Sequence, residues 1–210
     1  MLNFLQVRKH FNGLQIFEIP NLQLSKGIYW LQGVNGSGKT TLLRMIAGLI
    51  PFDGDISFDG ISQIKMPLEY RKSVSLAESE PIYPSFVTGY ELLQFYAHIR
   101  NESARELDYL VSYFGTKDYL SMQLGSYSSG MVKRLSLLLA LIGRPSLILL
   151  DEPLATLDTE ATRLLPDLIR LYNRDHGTSF IFTSHQPLET GSLMLNNKLL
   201  LKGNVLHLTP

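Results

Sequence analysis

The residues Gly33-Val34-Asn35-Gly36-Ser37-Gly38-Lys39-Thr40 have the types and spacing of a loop that cradles phosphate. Glycine lets backbone N–H groups turn inward and approach an anion with no side chain in the way. Lys39 is a compact cation able to reach the β- and γ-phosphates of a nucleotide. The Thr40 hydroxyl suits Mg²⁺, and Thr41 can bond the α-phosphate. The implied chemistry is binding of ATP with Mg²⁺.

A second group could act on what the first one holds. Leu147-Ile148-Leu149-Leu150-Asp151-Glu152 is a run of apolar residues closed by two carboxylates. On a buried parallel strand, both acids fall at the C-terminal edge, where open α/β sheets bind their ligands. Asp151 can then meet Mg²⁺, and Glu152 can orient and deprotonate an attacking water.

Both groups need particular elements beneath them. Ile28-Tyr29-Trp30-Leu31 is a short apolar run of the kind found in a buried strand. After the glycine loop, Leu42, Leu43, Ile46, Ala47 and Leu49 recur at helical spacing, so the order strand, loop, helix is predicted. That helix presents its positive N-terminal end to an anion. Residues 1–31 read as short strands with turns at Asn12-Gly13 and Lys26-Gly27, and residues 53–60 as an edge hairpin strand. Further strands are expected at 73–77 and 179–183, and a closing hairpin around Gly203-Asn204. Helices are expected across much of 87–120, at 135–142, and at 159–172 despite Pro166. Strands alternating with helices favour a parallel sheet covered on both faces. The stretch 83–143 lacks interleaved strands and reads as an inserted helical lobe.

Composition limits the functions available. Lys+Arg and Asp+Glu balance at 19 each, so no basic excess points to nucleic acid, and none is expected as a partner. The chain has no cysteine, which excludes disulfides and thiolate metal sites. The first residues lack the basic and apolar regions of a signal peptide. The longest apolar stretches fall far short of the roughly 20 residues that span a bilayer, so any membrane association is expected through a partner.

Taken in order, these motifs resemble the ATP-binding cassette (ABC) ATPase subunit of ABC transporters, over essentially the whole length. The resemblance implies a P-loop NTPase (RecA-like) parallel-sheet core, an N-terminal antiparallel β-lobe and an inserted helical subdomain. It implies one domain over 1–210, with core and β-lobe at 1–82 and 144–210 and the helical subdomain at 83–143. Tyr127-Ser128-Ser129-Gly130-Met131 resembles the family signature LSGGQ, 23 residues ahead of Asp151. In the family, two subunits pair head-to-tail, and the signature of one caps the γ-phosphate held by the other. Tyr127, Ser129 and Met131 depart from the pattern; Ser128 and Gly130 keep it. A serine-rich turn opening a helix is also an ordinary N-cap.

Other positions carry roles only by resemblance. Ala155-Thr156-Leu157-Asp158 is similar to the D-loop, which places Asp158 at the subunit contact. His185 is similar to the switch histidine at the γ-phosphate, acting with Lys39 and Glu152. Glu78 stands where the family has a glutamine near the metal, with Ser79 in that place if the register shifts by one. Phe11 stands where an aromatic stacks on adenine; packing within the β-lobe is the other reading of it. Pro81, Ile82, Tyr83, Pro84 and Phe86 suit contact with a permease helix or core beneath the lobe.

The resemblance therefore implies an ATP-hydrolysing subunit at the cytoplasmic face of the membrane. Its partners would be an integral-membrane permease and a second ATPase subunit, in a homodimer or a heterodimer. A cassette protein outside transport is the alternative. Such relatives carry coiled coils, paired cassettes or basic extensions, and this sequence has no heptad run and no basic tail. A small P-loop kinase would share the glycine loop without the signature, Asp158 and His185.

Overall fold

The computed structural model describes residues 1–184 and 197–209. His185 lies outside the described residues.

The N-terminal strands β1 (Leu2–Phe11) and β2 (Leu14–Leu24) form a long antiparallel hairpin across Asn12-Gly13. They are longer than the short strands expected. Pro20 lies within β2 because β2 is the sheet's edge, where a missing N–H breaks no ladder. Strand β4 (Asp53–Phe58) pairs with β1 on one side and with the two-residue β5 (Ile61–Ser62) on the other. The expectation of an edge strand at 53–60 is therefore corrected. β1 leaves one side open to β4, and Gly54 meets it where a Cβ would stand 2.3 Å from the Gln6 carbonyl oxygen.

The second sheet has the order β10-β9-β3-β8-β7-β6. Strands β3 (Ile28–Gln32), β6 (Val74–Ala77), β7 (Leu147–Leu150), β8 (Ser179–Thr183) and β9 (Asn197–Lys202) run parallel. Strand β10 (Val205–Thr209) closes the sheet antiparallel to β9, as the turn at Gly203-Asn204 predicts. Strand β7 is buried at every position because its alternate residues enter different cores. Ile148 and Leu150 join the helices on one face, while Leu147 and Leu149 join the side facing the antiparallel sheet. This accounts for an unbroken apolar run in place of alternation.

Helix α1 (Lys39–Ile46) follows β3 directly. The short α2 (Pro67–Ser73) is absent from the sequence reading, although Pro67 opens it and Arg71 and Lys72 close it. Between β6 and β7 the described elements are helical: α3 (Gly89–Arg100), α4 (Ala104–Tyr113), two single 3₁₀ turns and α5 (Ser129–Leu141). Thr88 and Glu91 form a complete capping box at the start of α3. Helix α5 begins earlier than expected, because the Ser128 hydroxyl accepts from the Met131 amide at 3.3 Å. Helix α6 (Thr159–His176) runs through Pro166 and ends at Gly177, whose φ of 66° supplies the left-handed stop. Among the described residues, no helix is long and apolar enough to cross a membrane.

Candidate nucleotide site

Two parallel strands deliver the two chemical groups to one sheet edge. The glycine loop leaves the C-terminal end of β3, and Asp151 and Glu152 leave the C-terminal end of β7; β8 lies between them. The loop is shaped for an anion. Gly38 has a φ of 95°, and a Cβ there would stand 2.6 Å from the Phe17 ring. The Lys39 ammonium folds back across the loop to the carbonyls of Gly33 at 2.9 Å and Val34 at 3.3 Å. It thus hangs over the concavity that the backbone encloses. Val34, Asn35 and Gly36 are exposed at the loop tip, and Ser37, Thr40 and Thr41 are partly buried.

Asp151 joins the two groups. The Thr40 hydroxyl donates to its Oδ2 at 2.7 Å, and the Thr183 hydroxyl donates to its Oδ1 at 2.8 Å. The same Thr183 oxygen accepts from the Glu152 amide at 2.8 Å. Asp151 is 2% exposed. Buried polar oxygens cost free energy unless they are hydrogen-bonded, and both oxygens of Asp151 are. Glu152 has a φ of 46°, a left-handed conformation that turns the chain sharply as it leaves β7.

The donor set fits Mg²⁺. This ion takes hard oxygens, typically one or two from protein with the remainder from phosphates and water. A threonine hydroxyl and a carboxylate already in contact at the mouth of a phosphate loop supply that share. Among the described residues no cluster of three or more acids or histidines forms a metal cage, as such a shared site requires none. The Glu78 carboxylate is held by Arg44 at 2.7 Å through one of its oxygens.

The remaining expected residues lie further out. Phe11 is 47% exposed at the end of β1, with the Lys9 ammonium 4.5 Å from its ring centroid on one side. Ser128 and Ser129 are exposed at the start of α5. Gly130 packs beside the Thr156 turn, where a Cβ would stand 3.0 Å from the Thr156 carbonyl oxygen. Asp158 caps α6 through the Ala161 amide at 2.9 Å and also pairs with Arg134. Ile82 is 94% exposed and Phe86 74%, while Tyr83 packs against the helical core.

Three residues had no role in the sequence reading. Thr183 was read only as part of a core strand; a polar residue ending an apolar strand is its signal. Arg44 carried no signal beyond helix periodicity. Lys133 sits at an inward-facing position of α5, and its ammonium donates to the carbonyls of Asp151 at 2.9 Å, Glu78 at 3.0 Å and Ser79 at 3.4 Å. Burial pushes its pKa down to about 8, against the attraction of Asp151 and Glu152.

Comparison with known proteins gives the arrangement a context. The family model described as ABC transporter matches residues 18–155. The ABC transporter ATP-binding protein NatA of Bacillus subtilis is 32% identical over 194 residues, covering 89% of this chain and 78% of that protein. The spermidine/putrescine import ATP-binding protein PotA of Fusobacterium nucleatum is 29% identical, covering 98% of this chain and 56% of that protein. Among solved structures, an ATP-binding subunit of an ABC transporter superposes with a TM-score of 0.86 at 22% identity, covering 98% of this chain and 87% of that one.

Proposed function

This chain belongs to the ABC transporter family of ATPases, and we propose that it works as one half of a head-to-tail pair driving a separate membrane permease. The pair is two copies of this chain or one copy with a relative, and it clamps two ATP molecules at its shared face. The observation carrying the reading is the chain of contacts from Thr40 through Asp151 and Thr183 to Glu152, which fixes phosphate loop and acid together.

In this reading the backbone of residues 33–38 cradles the phosphates, Thr41 bonds the α-phosphate, and Phe11 offers its open face to adenine. Thr40 and Asp151 would hold Mg²⁺, with Glu78 as a further carboxylate nearby, and the ion would supply neutralisation of phosphate charge. Glu152 takes the proton of the attacking water, and Lys39 and His185 meet the charge that develops. Ser128, Ser129 and Gly130 present a helix N-terminus to solvent, suited to the γ-phosphate held by the other subunit. Asp158 lies near that contact. The exposed Ile82 and Phe86 receive a short cytoplasmic helix of the permease. The protein then sits at the cytoplasmic face of the membrane without entering it.

Glu152→Gln tests the assignment. The variant binds ATP with native affinity, loses turnover and accumulates as an ATP-bound dimer in sedimentation. Hydrolysis at the native rate would remove Glu152 from its role.

A further inference from the structure

Lys133 lies on the second turn of α5 and is 1% exposed. Taking an ammonium out of water costs several kcal/mol, and an apolar side chain of similar length would fill the same space without that cost. Its three hydrogen bonds use its whole donor capacity, and all three go to main-chain carbonyls. Among the described residues no carboxylate lies within ion-pair distance of it. The ammonium feels the attraction of Asp151 and Glu152, but its hydrogen bonds go to backbone.

The backbone it holds is at the site. The Glu78 and Ser79 carbonyls follow β6, and the Asp151 carbonyl follows β7, its neighbour in the sheet. The side chain itself comes from the helix that Ser128 opens. One ammonium thus ties three segments: the start of α5, the loop of Glu78, and the turn carrying Asp151 and Glu152. A shift of α5 against β7 must break or drag these bonds.

We propose that Lys133 is a positioning residue for hydrolysis, a strut that holds the start of α5 in fixed register with the turn bearing Asp151 and Glu152. The inference rests on the reading above that residues 128–130 serve the nucleotide of a second subunit. Under it, the strut joins the face a subunit offers its partner to the acid it uses on its own ATP. Placement of the acid in one site then depends on how the other site is capped.

The test compares the full native chain with Lys133→Met, Lys133→Arg and Lys133→Gln. ATP affinity is read with a fluorescent ATP analogue and turnover by phosphate release. Lys133→Met removes the donors and keeps an unbranched chain one atom shorter. It should bind the analogue within about threefold of native while kcat falls about 100-fold, the scale for misplacing a catalytic group by about 1 Å. Lys133→Arg restores donors and should recover at least about a tenth of native kcat. A Met variant with kcat within about threefold of native, or Arg as impaired as Met, overturns the proposal. If the Met variant does not fold, Lys133→Gln decides, since it keeps a polar end but is one atom shorter and has two N–H groups for three carbonyls: reduced kcat at native affinity supports the strut, and native kcat overturns it. The two readings fail differently. Native hydrolysis that ignores Glu152→Gln removes the site assignment. Hydrolysis that requires Glu152 and ignores Lys133 removes only the strut.

Discussion

Replacing Thr183 with Val removes one hydroxyl and keeps the branched shape. That hydroxyl is buried and makes two bonds, one to the Asp151 carboxylate and one from the Glu152 amide, each 2.8 Å long. A hydrogen bond to a charged group contributes about 1.5–3 kcal/mol and an ordinary one about 0.5–1.5. The sum, about 2–4.5 kcal/mol, is a ceiling because the two bonds share one atom, and a loss of about 2–4 kcal/mol is expected. At about 2–4 °C per kcal/mol for a chain of this size, Tm should fall by about 4–16 °C. Turnover should fall further than stability alone requires, by at least about tenfold at temperatures where the variant is folded, because both acids lose a common anchor. Thr183→Ser keeps the hydroxyl and should lose only about 1 kcal/mol for the missing methyl. Thermal unfolding and phosphate release on the three proteins decide the matter. A Val variant melting within about 2 °C of native, or a Ser variant as damaged as Val, would show that the hydroxyl does not anchor the two acids.

Gly38→Ala should weaken ATP binding at least about tenfold, because the backbone stands at φ 95° and the new methyl meets the Phe17 ring. Nucleotide titration checks it, with Gly36→Ala as the milder case, since space there is open. The Asp59 carboxyl lies below its ordinary pKa of 3.8: partial burial opposes this, but hydrogen bonds from Lys26 and the N-terminal ammonium outweigh it. A lowered folded pKa contributes stability above the unfolded value, and that stability is lost as pH falls through the folded one. Asp59→Asn should therefore flatten the acid limb of a Tm-against-pH curve below about pH 4 and lower Tm at neutral pH; an unchanged curve counts against the pairing.

Legibility from sequence followed the physics of each element. The glycine loop and the acidic strand end could be read because their chemistry dictates residue types at fixed spacing. The long hairpin differs from the short strands expected over 1–31; Pro20 sits harmlessly within β2 only because β2 is an edge, which no local pattern shows. Strand β4 was put at an edge because pairing partners are not written locally. Helix α2 is too short for periodicity to stand out. Thr183, Arg44 and Lys133 matter through partners that are 32, 34 and up to 55 residues away in sequence. Their identities are ordinary, and only the folded sheet edge brings them to the site.

If the phosphate loop of one subunit and residues 128–130 of another make one site, two differently damaged subunits should repair each other when mixed. Lys39→Ala disables the loop and leaves the start of α5 intact. Gly130→Asp puts a side chain and a negative charge at the start of α5, crowding the Thr156 turn, and leaves the loop intact. Each variant alone should be inactive. In an equimolar mixture about half the dimers are mixed, each with one intact site of two, so turnover should recover to at most about a quarter of the native rate, less where the two sites are coupled. A mixture no more active than its components would contradict the shared site.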